Sequence, residues 1–559
     1  MMFDREWVDP VKSQFKVEAW LDRMDRDCGG IDALVLWQAY PRIGVDRRNQ
    51  FDHYRAVPGL REVVDRIHKR RVKTILAYNP WDTGTGREGK TDEEVLVEMV
   101  REFGFDGVFL DTLRDGGRTL RPALDRAKPG VVLESELDLP ITAVKDHHAS
   151  WAQWFGDSEA PGVMRNKWFE QRHMMHTIRR WDHDHTGELH MAWMNGTGCL
   201  VWENIFGSWN GWADRDKSVL RSVREIQKRY WRHFNFGVWT PLVETHGAGF
   251  YASRWELDGV TLWTAVNRGD KPVDGIIEHV AADGAHRLFD LVTGKEVDHG
   301  HLELGPRWVG CLASVPSRLV DDGFKKFLVG QAERHARATI VPRRVERLPS
   351  RLAAPVAKAV AKLPEGFVRV AGGERDLESV LRVRECGDYE PGRFGDSTYP
   401  GLHSDKPVVR HVRVKAFALM HREVTHGEFF DFCESTGRQH PKATLQRLSE
   451  PVVNVSLDDA RAYAAWKGWR LPTEDEWQIA VAEHKLPHGE VWNWTESVHE
   501  DGRTTFSMLK GGCEWKAEGS GWYVESGPMP PERSVKLIHF WPGMDRSETI
   551  GFRCAVDLE

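Results

Sequence analysis

Three carboxylates stand at the ends of two short apolar segments that have the pattern of buried strands. Asp111 follows GVFL, and Glu134 and Glu136 lie at the end of GVVLESEL. If these strands are neighbours in a parallel sheet, their carboxyl ends meet at one edge. Two carboxyl groups about 5–5.5 Å apart can act as nucleophile and acid/base in retaining glycoside hydrolysis. The structural alternatives are a helix cap for Asp111 and arginine ion pairs for the glutamates.

Aromatic, amide and charged side chains near the same strand ends are candidates for holding a sugar. The chain has 25 Trp against 9 Tyr. A flat indole can stack on the C–H face of a pyranose, although most of these Trp residues are expected to fill cores and interfaces. The substrate-binding candidates are Trp37, Tyr40, Arg42, Asn79, Trp81, Asp82, His147, Arg172, His173 and Glu203.

A histidine cluster lies in RHMMHTIRRWDHDHTGELH (172–190). His173 and His176 are three apart on a segment, 168–181, whose pattern predicts a helix, so both could face one ligand. A metal would suit such a pair with Asp182 or Asp184 nearby. The spacing matches no standard zinc or iron motif. We therefore expect hydrogen bonds to sugar hydroxyls, or supporting roles, in preference to a metal.

The elements that must position these residues alternate between strands and helices. Apolar strand patterns occur at 31–40, 72–80, 106–113 and 130–137, and amphipathic helix patterns occur at 58–71 and 92–104. This alternation is typical of a parallel sheet covered by helices. It predicts an α/β fold for residues 1–238, specifically a (β/α)8 TIM barrel.

The pattern changes after the barrel. Residues 239–316 hold short alternating runs separated by Gly, Asp and Asn turns, which predict an antiparallel β-sandwich. Residues 317–364 are rich in Arg, Lys, Ala and Pro and predict a basic, partly helical linker. Residues 365–559 form a further domain. The chain is therefore expected to be multidomain, since 559 residues exceed one core.

Composition and charge exclude several classes of protein. The formal net charge of −7 gives no reason to expect nucleic-acid binding. No run of about 18 apolar residues occurs, which predicts no membrane span. The start, MMFDREWVDPVKSQF, is charged where a signal peptide is apolar, so we expect a cytoplasmic protein. Seven scattered cysteines without CxxC spacing predict neither a disulfide framework nor a structural zinc site.

The barrel segment resembles a known group of enzymes. FDGVFLDT (105–112) is similar to the fourth strand of the α-amylase, α-galactosidase and α-fucosidase barrels, and residues 60–82 are similar to the preceding helix and strand. The resemblance implies that Asp111 is the nucleophile. It also implies that Glu136 or Glu134 is the acid/base, as in the α-amylase arrangement.

The C-terminal segment resembles the formylglycine-generating enzyme (sulfatase-modifying factor) family. PVVNVSLDDARAYAAWKGWRLPTEDEWQIA carries the core motif, and further motifs keep the family's order. They are PEGFVRVAGG (364–373), FALMHREVTHGEFFDFCESTG (417–437), VWNWTES (491–497), LKGGCEW (509–515) and IGFRCAVD (550–557). The resemblance implies a C-type-lectin-like α+β fold. From the residues alone, Thr473 and Glu476 form a capping box that begins a helix.

The residues on which the family's oxidase activity depends are missing. Family members bind copper through two cysteines just after a GGS motif, and thiolates suit Cu(I). Here GGC places Cys513 at the Ser position, and KAEGSGWYVESG beyond it has no cysteine. We therefore expect no copper oxidase and no cofactor in general. The family resemblance also suggests a calcium site near Asn493 and Glu496.

These patterns favour a carbohydrate-active enzyme, a retaining glycosidase for an α-linked sugar with a non-oxidase accessory domain. The expected partner is a carbohydrate, with neither nucleic acid nor membrane. One alternative is a metal-dependent oxidase or oxygenase in the C-terminal domain, with ligands such as His484, His488 or His539. The other is a non-catalytic carbohydrate-binding scaffold.

Overall fold

The structure is a computed structural model of the chain. It describes residues 1–38, 40, 43–82, 85–180, 182, 184–205, 208–347, 350–382, 405–441, 447–517, 527–539 and 545–559. In this part of the chain, the elements form a parallel α/β domain, an antiparallel sandwich and a C-terminal α+β domain. The predicted multidomain fold class is confirmed.

Six parallel strands form the sheet of the first domain, in the order β3-β4-β5-β6-β7-β8. The strand bounds, after a short hairpin of β1 (Val8–Asp9) and β2 (Gln14–Phe15), are β3 (Ala33–Leu36), β4 (Lys73–Tyr78), β5 (Gly107–Leu110), β6 (Val132–Ser135), β7 (Ala149–Ala152) and β8 (Met174–Thr177). Strands β4 to β7 are almost wholly buried, as expected of parallel strands covered on both faces. Residues 198–200 extend the sheet through a parallel bridge between Thr177 and Cys199. The described residues thus provide six strands and a seventh segment, where the sequence predicted eight strands.

Helices cover the outside of this sheet. Their bounds are α1 (Val17–Cys28), α2 (Gln50–Arg55), α3 (Leu60–Lys69), α4 (Asp92–Phe103), α5 (Leu120–Ala127), a 3₁₀ helix (Ile141–Asp146), α6 (Arg165–Phe169), α7 (Thr186–Met194), α8 (Asp214–Arg229) and α9 (Trp231–Phe236). Local signals set their ends: Thr91 and Glu94 form a capping box on α4, and Gly104 ends it in the left-handed conformation. The predicted helix over 168–181 is wrong. Only the start of this segment lies in α6. Its middle forms β8, in which the alternate residues Met174 and His176 face the interior of the sheet.

The second domain is an antiparallel sandwich, as predicted. A small hairpin, β9 (Asn204–Ile205) and β10 (Ser208–Trp209), precedes it. Its strands are β11 (Val238–Thr240), β12 (Thr245–His246), β13 (Phe250–Leu257), β14 (Val260–Asn267), β15 (Val273–Ala281), β16 (His286–Asp290), β17 (Lys295–Val297), β18 (His299–Leu304) and β19 (Val309–Pro316). The sheets run β11-β13-β14-β19-β16-β17 and β12-β15-β18, with Phe250, Ile277 and Leu302 between them. Trp193 of α7 donates to the Gly310 carbonyl at 2.9 Å, which fastens the sandwich to the first domain.

The predicted linker begins with a 3₁₀ helix (Ser317–Leu319), which α10 (Asp322–Ala336) follows. The C-terminal strands are β20 (Ser350–Arg351), β21 (Phe367–Val370), β22 (Gly373–Arg382), β23 (Asp405–Val414), β24 (Phe417–Met420), β25 (Trp492–Glu500), β26 (Thr505–Lys510), β27 (Arg533–Ile538), β28 (Ile550–Phe552) and β29 (Ala555–Asp557). The helices are α11 (His426–Thr436), α12 (Leu457–Trp466) and α13 (Glu474–His484). One sheet runs β20-β25-β26-β27-β22-β23 with β28 beside β25, and another runs β21-β24-β29. The predicted capping box of Thr473 with Glu476 begins α13.

The C-terminal domain packs directly on the first domain. Phe506 and Ile538 belong to the apolar cluster of the parallel sheet, and Val45 belongs to the C-terminal cluster. Ser547 Oγ donates to Asp46 at 2.7 Å. Since Val45 and Asp46 follow β3, the C-terminal domain contacts the end of the sheet where the carboxylates lie.

A buried ion pair joins the same two domains. Arg503 Nε donates to Asp4 Oδ1 at 2.7 Å, and both side chains are buried. Asn204 Nδ2 donates to Asp4 at 3.1 Å and to the Thr504 hydroxyl at 3.0 Å. The pair of Asp4 and Arg503 joins residues that are 499 positions apart in the sequence.

No helix in the described ranges is long and apolar enough to cross a membrane.

Candidate active site

Asp111 lies directly after β5, at the carboxyl end of the sheet. It is buried and shares the inner face of its strand with Phe109, because side chains alternate along a strand. Asn79 Nδ2 donates to Asp111 Oδ2 at 3.1 Å. Asn79 follows the neighbouring strand β4, so the end of one strand fixes the side chain at the end of the next.

The backbone of Asn79 is itself held by Gln50. Gln50 Oε1 accepts from Asn79 N at 2.8 Å, and its Nε2 donates to Asn79 O at 2.6 Å. Gln50 begins α2, which Asn49 and Asp52 cap. Asp82, predicted to bind substrate, accepts from Gln50 N at 2.7 Å, and burial raises the pKa of this carboxyl. Asp82 therefore supports Asn79 and, through it, Asp111.

Glu136 occupies the position beside Asp111. The preceding residues Leu110 and Ser135 are register partners, and Glu136 N donates to Leu110 O at 3.1 Å. Neighbouring strands lie about 4.8 Å apart, so the two carboxylates leave the sheet side by side. Glu136 Oε1 lies 3.6 Å from Arg180 Nη2. Arg180, which the sequence analysis missed, is buried and lies over the Trp202 ring at 5.5 Å.

Thr112 has a backbone conformation that bears on this arrangement. Its φ of +62° is in the left-handed region, which β-branched residues rarely adopt. In this conformation Thr112 N donates a hydrogen bond to Glu136 Oε2 at 2.7 Å. Strain of this kind costs about 1–3 kcal/mol and is concentrated at functional sites. Tyr40, after β3, also has a positive φ, of +50°.

Four aromatic side chains form a layer inside the barrel beneath the two carboxylates. We call Trp37, Phe109, Trp151 and Trp202 the aromatic layer. Ring centroids lie 4.3 Å apart for Phe109 and Trp151 and 4.9 Å apart for Trp37 and Trp202. Trp37 and Tyr40, both predicted to contact sugar, are buried here with ring centroids 6.1 Å apart. Both side chains are thus enclosed by protein and do not line the rim pocket.

A pocket of about 220 Å³ opens beside Glu136, and we call it the rim pocket. Its wall includes Trp151, Gln153, Trp154 and Arg165. Trp154 is 67% exposed, and Gln153 Oε1 is buried with no hydrogen-bond partner among the described residues. An open indole face and an unused acceptor next to a carboxylate suit a sugar ring. The sequence analysis missed this wall, although Gln153 and Trp154 directly follow β7.

Glu134 lies deeper than Glu136, within β6. It is buried and its Oε1 is 2.5 Å from His176 Nδ1. Burial opposes a charge on the ring, but Glu134 overcomes this effect and raises the pKa of His176 above its ordinary value. Glu134, the register partner of Phe109, therefore forms an ion pair at the level of the aromatic layer, and Glu136 is the carboxylate at the rim.

We expect Glu134→Gln to lower the pKa of His176, because the neutral amide no longer offsets burial. NMR titration of the imidazole protons measures the shift. The raised pKa belongs to the folded state, so the pair stabilises the fold fully below about pH 6.5, the ordinary histidine value. That contribution is lost as pH rises through the folded pKa. His411, whose pKa is raised by Asp376 in the C-terminal domain, should titrate as before. An unchanged pKa of His176 in the variant would mean that a group other than Glu134 stabilises the imidazolium.

The remaining predicted substrate contacts are dispersed. Trp81 is 52% exposed beside Asn79, and its backbone N–H donates to Asn79 Oδ1 at 2.8 Å. Glu203 is buried between Arg23 at 2.8 Å and Lys217 at 3.4 Å. Arg42 lies outside the described residues.

Three more candidates precede their strands and so lie away from the carboxyl end of the sheet. Arg172 is exposed and pairs with Glu170 at 2.8 Å before β8. His173 contacts the Ser150 hydroxyl at 2.8 Å, and burial lowers its pKa to about 4. His147 precedes β7, accepts from Gly116 N at 3.0 Å, and has a pKa lowered by burial. None of the three is brought to Asp111.

The C-terminal domain does not fit the copper site of the formylglycine-generating enzymes. The Cys513 thiol is buried, donates to the Trp515 carbonyl at 3.2 Å, and has a pKa raised by burial to about 11. A copper-binding thiolate needs a lowered pKa and a second cysteine, which the following segment lacks. Among the described residues, no three His, Cys, Asp or Glu side chains are grouped to hold a metal ion.

The calcium site suggested by family analogy stays a prediction. Both of its side chains contact protein groups: Arg461 binds Glu496 through two nitrogens, at 3.0 and 2.6 Å. Asn493 accepts from Trp477 Nε1 at 3.2 Å and donates to Glu423 at 3.1 Å. The contacts of Asn493 join α13 to the sheet and so have a structural role.

The described geometry defines a protein with a parallel α/β domain bearing paired carboxylates and a C-terminal α+β domain. Residues 353–487 match the family model described as the sulfatase-modifying factor enzyme 1-like domain. The inactive C-alpha-formylglycine-generating enzyme 2 of Bos taurus is 55% identical over 49 residues, which are 9% of this chain and 16% of that protein. The formylglycine-generating enzyme of Thermomonospora curvata is 33% identical over 96 residues, 14% of this chain and 32% of that protein. The chain thus spans less than a third of the length of these relatives.

Solved structures similar to the chain include two glycoside hydrolases. An α-amylase of Anoxybacillus has a TM-score of 0.39 at 14% identity, covering 56% of this chain and 94% of that chain. A β-L-arabinopyranosidase of Geobacillus stearothermophilus has a TM-score of 0.35 at 11% identity, covering 54% and 93%.

Proposed function

We propose that the first domain is a retaining glycoside hydrolase that acts on an α-linked sugar, with Asp111 as nucleophile and Glu136 as acid/base. The observation that carries the proposal is the placement of these two carboxylates side by side at neighbouring strand ends, above the aromatic layer. Retention requires two carboxyl groups about 5–5.5 Å apart, which adjacent strand ends can supply.

Asp111 and Glu136 have different roles in the two steps, which are formation and hydrolysis of a glycosyl ester. Asp111 attacks the anomeric carbon while Glu136 gives its proton to the departing glycosidic oxygen. Glu136 then takes a proton from water, whose oxygen attacks the same carbon and releases Asp111 from the glycosyl ester. Asn79 holds the carboxylate of Asp111 in line, and the N–H of Thr112 holds Glu136.

The C-terminal domain is proposed as a non-oxidase accessory domain. Support comes from the buried, protonated Cys513 and from the direct packing of this domain on the loop after β3. In that position it can restrict which substrates reach the carboxyl end of the sheet.

The test is a hydrolysis screen with 4-nitrophenyl α- and β-glycosides, followed by NMR of the first anomer released. The proposal expects turnover of an α-glycoside and an initial α product. An initial β product from an α-glycoside would indicate inversion and remove Asp111 as nucleophile. Sugar binding by calorimetry without any turnover would favour the scaffold alternative.

We expect Trp154→Ala to raise KM about fivefold with little change in kcat. The indole is open to the rim pocket, and an aromatic contact of this kind is worth about 1 kcal/mol. Steady-state kinetics on the best substrate of the screen measures the effect. Trp466→Ala is the matched control, since Trp466 is a partly exposed tryptophan on α12 of the C-terminal domain. Equal effects of both substitutions would remove Trp154 from the substrate site.

A further inference from the structure

A second and larger cavity, of about 520 Å³, lies between β3 and residues 196–203 and under helices α1 and α8. We call it the seam cavity. Its walls are mainly apolar and include Met24, Leu34, Val35, Met174, Leu200 and Leu220. It is distinct from the rim pocket, which lies beside Glu136.

The seam cavity occupies the place of a strand. In the described residues, β3 pairs with β4 on one side, and no ladder joins its other edge to residues 198–200. Leu34 and Val35 accordingly remain partly exposed, whereas β4 to β7 are buried. The cavity, which we also call the slot, is therefore lined mainly by apolar side chains along one strand edge, and its volume lies in the range of small-molecule sites, about 300–1,000 Å³.

The two ends of the slot differ in polarity. Away from the surface, the wall holds three ion pairs whose charges are matched: Glu134 with His176, Glu203 with Arg23, and Asp4 with Arg503. Arg224 and Lys228 line the outer part, where they pair with Asp32 and Glu225. Lys228 keeps about half of its side chain exposed, and the exposed indole of Trp231 lies beside it.

From these features we infer that the seam cavity binds a single fatty-acyl chain, with the hydrocarbon in the slot and a carboxylate head at Lys228 and Arg224. An apolar chain removes the exposed faces of Leu34, Val35 and Leu220 from water. An anionic head fits the outer part of the cavity, because Lys228 and Arg224 supply positive charge there and Lys228 is about half exposed. This inference does not depend on the proposed glycosidase activity.

The experiment is isothermal titration calorimetry of the full chain with octanoate, decanoate and dodecanoate below their micellar concentrations. Each added methylene should tighten binding about fourfold until the slot is filled. Dodecyltrimethylammonium, of equal chain length and opposite head charge, should bind at least about tenfold more weakly than dodecanoate. Equal binding of the two would overturn the placement of the head, and absence of binding by every chain would overturn the inference.

Two filling variants from opposite walls make the test specific. Val35→Trp narrows the slot from β3, and Leu220→Trp narrows it from α8. Each should weaken dodecanoate binding at least about tenfold. Val329→Trp, at an exposed position of α10, is the matched control and should bind as wild type. Circular dichroism checks folding of each variant. Unchanged affinity in both folded variants would place the fatty acid elsewhere.

Discussion

Asp111→Asn is expected to lower kcat at least about a thousandfold while leaving the fold intact. The amide has the shape of the carboxylate, so Asn79 and the aromatic layer keep their places. An amide cannot form the glycosyl ester, and removing the nucleophile of a concerted catalytic set costs far more than removing one contact. Single-turnover kinetics with an activated aryl glycoside, together with circular dichroism, measures both effects.

Azide rescue sharpens this test. A small anion can enter the space beside the new amide and attack the anomeric carbon, giving a glycosyl azide of inverted configuration. Asp106→Asn is the matched control, because Asp106 is a buried aspartate that precedes the same strand β5 and holds Thr74 N at 2.8 Å. It should retain turnover in the folded fraction. An Asp111→Asn enzyme with wild-type kcat would assign the nucleophile to another residue.

Arg503→Ala is expected to lower the free energy of unfolding by about 3–5 kcal/mol. The substitution leaves the Asp4 carboxylate buried without its charged partner, and a lone buried charge is the costly outcome of breaking such a pair. It also removes the guanidinium that lies 4.6 Å from the Trp209 ring. Urea unfolding monitored by tryptophan fluorescence measures the loss.

The pH dependence provides a second measure of the Asp4–Arg503 pair. Burial opposes the charge of Asp4, but Arg503 outweighs it and holds the pKa of Asp4 below its ordinary 3.8. The contribution of the pair is therefore present in full above about pH 3.8 and is lost as pH falls through the lowered pKa. Arg61→Ala, which breaks the exposed pair with Asp65, should change stability little. Equal losses for the two arginine variants would contradict the account of a buried interdomain pair.

The sequence predicted the features that depend on neighbouring residues. Asp111 and Glu136 follow apolar strands, and the rule that strand ends meet at one edge brings them together. The capping box of Thr473 with Glu476 is likewise local, three residues apart. Local patterns of this kind predict structure correctly because the same short segment that carries the pattern also forms the element.

The features that the sequence could not supply depend on distant partners. Arg180 meets Glu136 across 44 positions, and no local pattern marks that contact. The segment 168–181 was predicted as a helix because its polar and apolar residues suit either period, and only pairing with β7 makes Met174–Thr177 a strand. The gap between β3 and residues 198–200 depends on how all the strands are arranged in the sheet. No single segment of the sequence shows it, and the sequence therefore predicts a complete barrel of eight strands.

The joining of Asp4 to Arg503 has a consequence for synthesis of the chain on the ribosome. At about 5–20 residues per second, the 499 positions between them take about 25–100 s to translate. During that time the first domain has emerged, yet its charge partner and the covering side chains Phe506 and Ile538 do not exist. Its apolar surface is then open to chaperones and to other nascent chains. The domain made first is thus among the last to be completed.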